Sequence, residues 1–239
     1  VTEWFEQWFG EEYLHVYPHR DDEEAERLVR FLEGEAVAGA GRRVLDLACG
    51  PGRHAAILAR GGARVVGLDL SRALLHAARR RGVAPLVRGD MRRLPFRPSA
   101  FDVVVNLFTS FGYFAADPEH DAVLGEIARV LRPGGWFVLD YLNAPAVRAG
   151  LVRRDERREG STTLVQERHL SDDGRFVIKS IHVTEQGRTF TERVRLFERA
   201  DLERMLGAHG IVVEAAAGDY DGAPYGASSP RLILLGRRR

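Results

Sequence analysis

The sequence predicts a doubly wound α/β fold, and three observations carry that reading. Short Val-rich apolar runs alternate with helical patterns between residues 43 and 141. A Gly-rich turn, Gly50-Pro51-Gly52, follows the first run and opens a helix. Acids close the next two runs, Asp69 after the second and Asp90 after the third. Near-continuous apolar strands belong to a parallel sheet covered by helices on both faces.

The elements follow in order. Trp4, Phe5, Trp8 and Phe9 place aromatics at i and i+4 twice, which makes one stripe on a helix. Asp21-Asp22-Glu23-Glu24 puts acid at a helix start, where the macrodipole favours it. Ala25, Leu28, Val29 and Leu32 then mark one buried face. Val44 to Leu47 is the first strand, a helix runs from about Arg53 to Arg60, and Arg64 to Asp69 is the second strand. Ser71 can cap the next helix, which ends on Arg79-Arg80-Arg81 and Gly82, residues suited to a C-terminus. Pro85 to Asp90 and Phe101 to Asn106 are strands three and four. Pro118 starts a helix with Leu124, Ile127, Ala128 and Leu131 periodic behind it, and Trp136 to Tyr141 is the fifth strand.

After Pro145 the pattern alternates apolar and charged residues over 162–170, 175–183 and 189–197. Asp172-Asp173-Gly174 and Gln186-Gly187-Arg188 join these runs as hairpin turns, so a small three-stranded antiparallel insertion is expected. A helix from Asp201 to Gly210 and two strands, Ile211 to Ala215 and Leu232 to Leu235, close the chain. The organisation reads as an N-terminal helical lid over 1–40, a core over 41–145 and 199–239, and an inserted β cap over 146–198.

Composition excludes several classes. The formal net charge of +1 gives no basic field for nucleic acid, and no apolar run approaches the ~20 residues that span a bilayer. Cys49 is the only cysteine, so an intrachain disulfide and a thiolate metal cage are both ruled out, and no metal is expected. A cytoplasmic protein, monomer or homodimer, with no nucleic-acid or membrane partner is the expectation. Lys179 is the lone lysine.

In open α/β sheets the ligand lies outside the carboxyl ends of the strands. Gly50 and Gly52 suit a tight loop with positive φ and close backbone approach. They also fit a dinucleotide-binding turn, so a nicotinamide-dependent dehydrogenase stays open as an alternative. Asp46, four residues before Gly50, suits a ligand with a cationic end and would repel a pyrophosphate. Asp69 is placed to accept from ribose hydroxyls, and Asp90 from an adenine amine, with the Met91 amide near the ring.

Val44 to His54, Gly67 to Ser71, Gly89-Asp90-Met91, Phe101 to Val104 and Leu131 to Gly135 resemble the ordered motifs of class I S-adenosylmethionine-dependent methyltransferases. The likeness covers about residues 42 to 142. It implies a Rossmann-like seven-stranded sheet with its last strand antiparallel and S-adenosyl-L-methionine over the glycine loop. Asp46, Ala48, Gly50, Gly52, Asp69, Leu70, Asp90, Met91 and Asn106 would surround it. Ala48 stands where many members have glycine. Tyr17 or Arg20 from the lid is a candidate holder of the cofactor carboxylate, with plain helix packing as the other reading.

Methyl transfer needs alignment and exclusion of water, and a base only if the acceptor loses a proton at transfer, so no catalytic residue is assigned. The acceptor is expected to be a small molecule. Asn106 lacks the following Pro-Pro-aromatic of base-flipping enzymes. Phe108, Phe111, Tyr113, Tyr141 and Asn143 follow the fourth and fifth strands and are candidates to wall the acceptor, although the aromatics fit core packing equally. The β insertion resembles the caps of small-molecule methyltransferases and contributes His169 and His182. A cofactor-binding, non-catalytic member of the family is the third reading.

Overall fold

The computed structural model of the chain describes residues 3–17, 22–160 and 162–239. Its N-terminal aromatic stripe forms two short helices, α1 (Trp4–Trp8) and α2 (Glu11–Val16). Helix α3 (Asp22–Gly34) has three acids in its first turn and buries Ala25, Leu28, Val29 and Leu32, the periodic set of the sequence. Strand β1 (Arg43–Leu47) leads through the glycine turn into α4 (Arg53–Arg60), and β2 (Arg64–Asp69) into α5 (Arg72–Arg80). The Ser71 hydroxyl caps α5 by accepting from the Leu74 amide at 3.2 Å. Strands β3 (Leu86–Arg88) and β4 (Phe101–Asn106), helix α6 (Asp117–Val130) and strand β5 (Leu131–Leu142) complete this half.

A short helix, α7 (Ala144–Ala149), then opens the insertion, which contains four strands: β6 (Arg154–Glu159), β7 (Thr162–Leu170), β8 (Phe176–Val183) and β9 (Arg188–Arg195). The sequence points to three. Strand β6 is Arg-Asp-Glu-Arg-Arg-Glu, with no apolar residue to alternate, and it pairs with β7 alone. Charge on an edge strand blocks pairing with a further chain, so its lack of pattern follows from its position. Helix α8 (Arg199–Ala208) and strands β10 (Ile211–Ala217) and β11 (Arg231–Arg238) end the chain.

The seven-stranded sheet runs β10-β11-β5-β4-β1-β2-β3, with β11 antiparallel to both neighbours. β1 lies between β2 and β4, so strand order reverses there and a crevice opens at the carboxyl ends of these strands. Strand β4 is buried throughout, and its residues feed two cores by turns. Val104 packs with Leu124, Ile127 and Leu206 on one face, Val103 and Val105 with Leu28, Leu32 and Leu58 on the other. A third cluster joins Trp8, Tyr13 and Val16 to Leu164, Ile181 and Phe190, so the N-terminal helices and the inserted sheet share one core.

Gly52 sits at the start of α4 with φ +77. A Cβ there would lie 2.8 Å from Ala78 Cβ and 2.9 Å from Val83 Cγ2. It does not line the crevice, so the sequence-based placement of Gly52 against a ligand is corrected: this glycine lets α4 pack on the end of α5. Gly52→Val is expected to destabilise the fold by about 2–5 kcal/mol, from overpacking and left-handed strain. Urea denaturation measures this, and a wild-type midpoint would disprove the assignment.

Candidate functional site

The carboxyl ends of β1 and β2, with the loops after β3 and β4, enclose a cavity of about 520 Å³. Its volume is that of a site for a small organic molecule. Asp46, Ala48, Gly50, Asp69, Leu70, Asp90 and Met91 all line it. Gly50 has φ +55 and open space where a Cβ would stand, and Ala48 shares the left-handed conformation at φ +58. A methyl group at that φ carries strain of about 1–2 kcal/mol.

The acids differ in their state. Asp46 is buried, its Oδ2 has no hydrogen-bond partner among the described residues, and burial together with the Asp69 charge pushes it up to about 7. Asp69 ties the loop together. Its Oδ2 accepts from the Gly50 amide at 2.8 Å and its Oδ1 from the Ser71 amide at 2.8 Å. Burial raises its pKa, against the lowering by these amides. Asp90 is bound by Arg92, whose guanidinium also grips Glu119 at 2.6 Å. Burial pushes Asp90 up, but the Arg92 bonds outweigh it and hold the carboxyl low. Cys49 is buried and its thiol is pushed up by burial and by Asp46 and Asp69, so it is a packed turn residue and no nucleophile.

His54 and Arg53 join the wall, a place the sequence alone does not assign them, whereas the N-terminal segment lies over the cavity as the lid reading expects. His54 lines the cavity and is pushed down to about 3, by burial first and then by Arg53, so it is neutral at ordinary pH. Arg53 lies over the Phe108 ring at 5.0 Å. Phe5 and Glu6 of α1, Phe9 at its C-terminal end and Tyr13 of α2 line the site. The aromatic stripe supports the lid reading, while which of its residues face the cavity depends on a fold that local sequence does not specify.

A second cavity of about 480 Å³ lies between the core and the inward face of β7–β9. Phe9, Phe108 and Tyr113 line both cavities. Phe108 and the following Thr109 have φ +58 and +60, a strained pair held by one buried carboxylate. Asp140 Oδ2 accepts from the Phe108 amide at 2.9 Å and from the Tyr220 hydroxyl at 2.9 Å. Arg231 donates to Asp140 Oδ1 at 2.8 Å and to Thr109 Oγ1 at 2.8 Å.

Several expected site residues lie elsewhere. Asn106 is buried and donates to the Leu47 carbonyl at 2.8 Å, joining β4 to β1. The Tyr17 hydroxyl accepts from Lys179 on the inserted sheet, which draws it away from the first cavity. Phe111 packs fully buried against His120 and Phe197, and Tyr141 is equally buried with its hydroxyl on the Arg195 carbonyl. Asn143 donates to the carbonyls of Gly226, Ala227 and Ser229, pinning the loop before β11. His169 is exposed, and His182 bonds Thr189 across the sheet at 2.9 Å. Strand parity explains both histidines. Leu164, Gln166 and Arg168 turn inward on β7, so His169 turns out, and His182 alternates likewise with Ile181 and Val183. Arg20 lies outside the described residues.

Residues 44–135 match a family model described as a methyltransferase domain. The chain is 34% identical over 207 residues to a cypemycin N-terminal methyltransferase of a Streptomyces species, covering 83% of this chain and 84% of the relative. It is 33% identical over 218 residues to a dTDP-3-amino-3,6-dideoxy-alpha-D-glucopyranose N,N-dimethyltransferase of Streptomyces fradiae, covering 85% and 81%. The chain belongs to the class I S-adenosylmethionine-dependent methyltransferases. A solved methyltransferase, CcbJ of Streptomyces caelestis, superimposes with a TM-score of 0.82 at 21% identity over 99% of both chains and shares the fold.

The methyltransferase therefore takes its methyl group from S-adenosylmethionine, and the dehydrogenase and non-catalytic readings fall. The first cavity fits that cofactor. Asp46 offers an unmatched buried oxygen to a cation, Gly50 leaves room for close approach, and Asp69 retains lone pairs for hydroxyl donors.

Two outcomes are expected. Asp69→Ala weakens S-adenosylhomocysteine binding by ~1.5–3 kcal/mol, roughly ten- to a hundredfold, because a charge-assisted acceptor and the tie to Gly50 are both lost. Unchanged affinity by calorimetry in a folded variant would refute this role. Asp46, raised to about 7, must ionise to meet a cation, so affinity for S-adenosylmethionine falls as pH drops below about 7, by up to ~tenfold per unit. In the free enzyme the sign reverses: a carboxyl with a raised folded pKa loses stability as pH climbs from the unfolded value to about 7. Asp46→Asn should thus bind the cofactor weakly at every pH and melt higher than wild type at pH 8. A cofactor affinity in wild type that is flat between pH 5.5 and 8 sinks the assignment.

Proposed function

We propose that this enzyme methylates an amino nitrogen of a small molecule, using the second cavity as the acceptor site. One observation carries the reading: the second cavity adjoins the cofactor cavity across Phe9, Phe108 and Tyr113, and the carboxylates of Glu192 and Asp155 are among its lining residues. Asp155 is paired with Arg168 and Glu192 with Lys179 and Trp8, and each keeps further lone pairs that accept N–H bonds from a neutral amine. Two relatives matched over more than four-fifths of this chain carry N-terminal and N,N-dimethyl activities in their names, which supports nitrogen as the acceptor atom.

The cofactor when bound supplies a methyl group already electrophilic on its sulfonium sulfur. The protein's part is alignment and dryness. Phe108 and Tyr113 form the wall on which a nucleophile rests, and α1 and α2 roof the first cavity against water. A neutral amine has a lone pair ready for transfer and loses its proton to solvent afterwards, so no strong base is required. His54 is neutral but sits behind Arg53 near the glycine loop, a place for packing the cofactor end.

Radiolabelled S-adenosylmethionine, offered with matched 4-phenylbutylamine, 4-phenylbutanol and 4-phenylbutanethiol, discriminates the acceptor atom. The expected product is the N-methylamine, identified by mass. Label appearing only in the alcohol or the thiol would overturn the nitrogen assignment.

A further inference from the structure

The second cavity also bears on what carries the acceptor nitrogen. Three cationic side chains are among its described lining residues, and each is already held by a carboxylate. Arg231 binds fully buried Asp140, Arg168 binds Asp155 and Gln166, and Lys179 lies 3.3 Å from Glu192 while donating to Tyr17. Glu192 in turn accepts from the Trp8 indole at 2.7 Å. Cations and carboxylates thus balance.

A phosphate or diphosphate needs free N–H donors and net positive charge. Taking a guanidinium or ammonium from this wall would strand its carboxylate away from water, which is costlier than leaving the pair intact. Apart from Thr109, whose hydroxyl accepts from Arg231, and Tyr113, the remaining wall is apolar, with Leu142, Val147, Val177 and Val194 and the rim residues Leu151-Val152. Val152 is 57% exposed, the more exposed of the two large apolar side chains on the surface among the described residues. It presents apolar surface where a polar carrier would need hydrogen bonds.

We infer that the acceptor is a molecule with an uncharged apolar body and no phosphate group, lying along the Leu151-Val152 rim with its polar end toward Lys179 and Glu192. This rests on the amine reading for the reacting atom only; the nature of the body follows from the cavity wall. Lys179 is the one lysine among 35 lysines and arginines. Its compact ammonium, rather than an arginine's broad fork, pairs with Glu192 and leaves space beside it.

Competition between three primary amines tests this: 4-phenylbutylamine, glucosamine and a thymidine-diphosphate-linked amino sugar. The expected kcat/KM for 4-phenylbutylamine exceeds both others by at least about tenfold. Val152→Asp, at an exposed position that the fold does not need, should raise its KM about fivefold with kcat and S-adenosylhomocysteine affinity unchanged. Faster methylation of glucosamine or of the diphosphate-linked sugar, or a KM indifferent to Val152→Asp, overturns the apolar body and leaves amine methylation standing. Methylation of 4-phenylbutanol in place of the amine upholds the apolar body and overturns the nitrogen. No turnover of any of these, with S-adenosylhomocysteine still bound, overturns both.

Discussion

Two carboxylates, Asp46 and Asp69, are held out of water at neighbouring strand ends, and the rest of the site is arranged around that constraint. A buried charge is expensive unless it is paired or hydrogen-bonded. Asp69 meets this cost with two backbone amides, and in doing so fixes the glycine loop in its left-handed shape. Asp46 is left with an unmatched oxygen and a carboxyl that ionises only near neutrality. The free enzyme is therefore electrostatically incomplete at Asp46, which is what the expected loss of cofactor affinity at low pH tests. Stability of the empty protein and affinity for the cofactor pull against each other at this one residue.

The second constraint is the loop after β4. Phe108 and Thr109 adopt backbone angles that L-residues avoid, and Thr109 is β-branched, which makes the conformation costlier still. Asp140 from β5, Arg231 from β11 and Tyr220 from the preceding loop hold it there through one buried polar network. Removing any member would leave a buried charge or donor unmatched, so the network acts as a unit. What it positions is the Phe108 ring, stacked by Arg53 and shared by both cavities. Residues more than a hundred positions apart in sequence thus set the ring that separates the two cavities.

The doubly wound core and the strand-end acids were legible because each rests on local pattern: apolar runs, a glycine turn, acids at run ends. The residues of the acceptor side were not. Tyr141 and Phe111 follow the right strands yet point into the core, since strand parity and the packing of His120 and Phe197 decide their direction. On the insertion, strand parity turns Arg168, Lys179 and Glu192 toward the second cavity and His169 and His182 to the other face. A period of two tells which residues share a face but not which face meets the core, and mixed-polarity strands leave that open. Strand β6 carries no apolar residue at all, so nothing in its sequence separates it from a solvated loop.

Helix α1 has a double duty that follows from its aromatics. Trp4 donates to the Tyr113 carbonyl and Phe5 packs on Phe114, which fastens the helix to the core beside the cofactor cavity. Trp8 on the same helix stacks on Phe190 and donates to Glu192, which fastens it to the inserted sheet beside the acceptor cavity. Phe9 stacks on Tyr113 and lines both spaces. A five-residue helix has little stability of its own, so these tertiary contacts keep it formed. Anything that shifts α1 away from the core also moves Trp8 from Glu192, and the charge pairing on the wall of the second cavity changes with it. The two cavities are thus joined through one short helix, whose Phe5 lines the first and whose Trp8 holds Glu192 on the wall of the second.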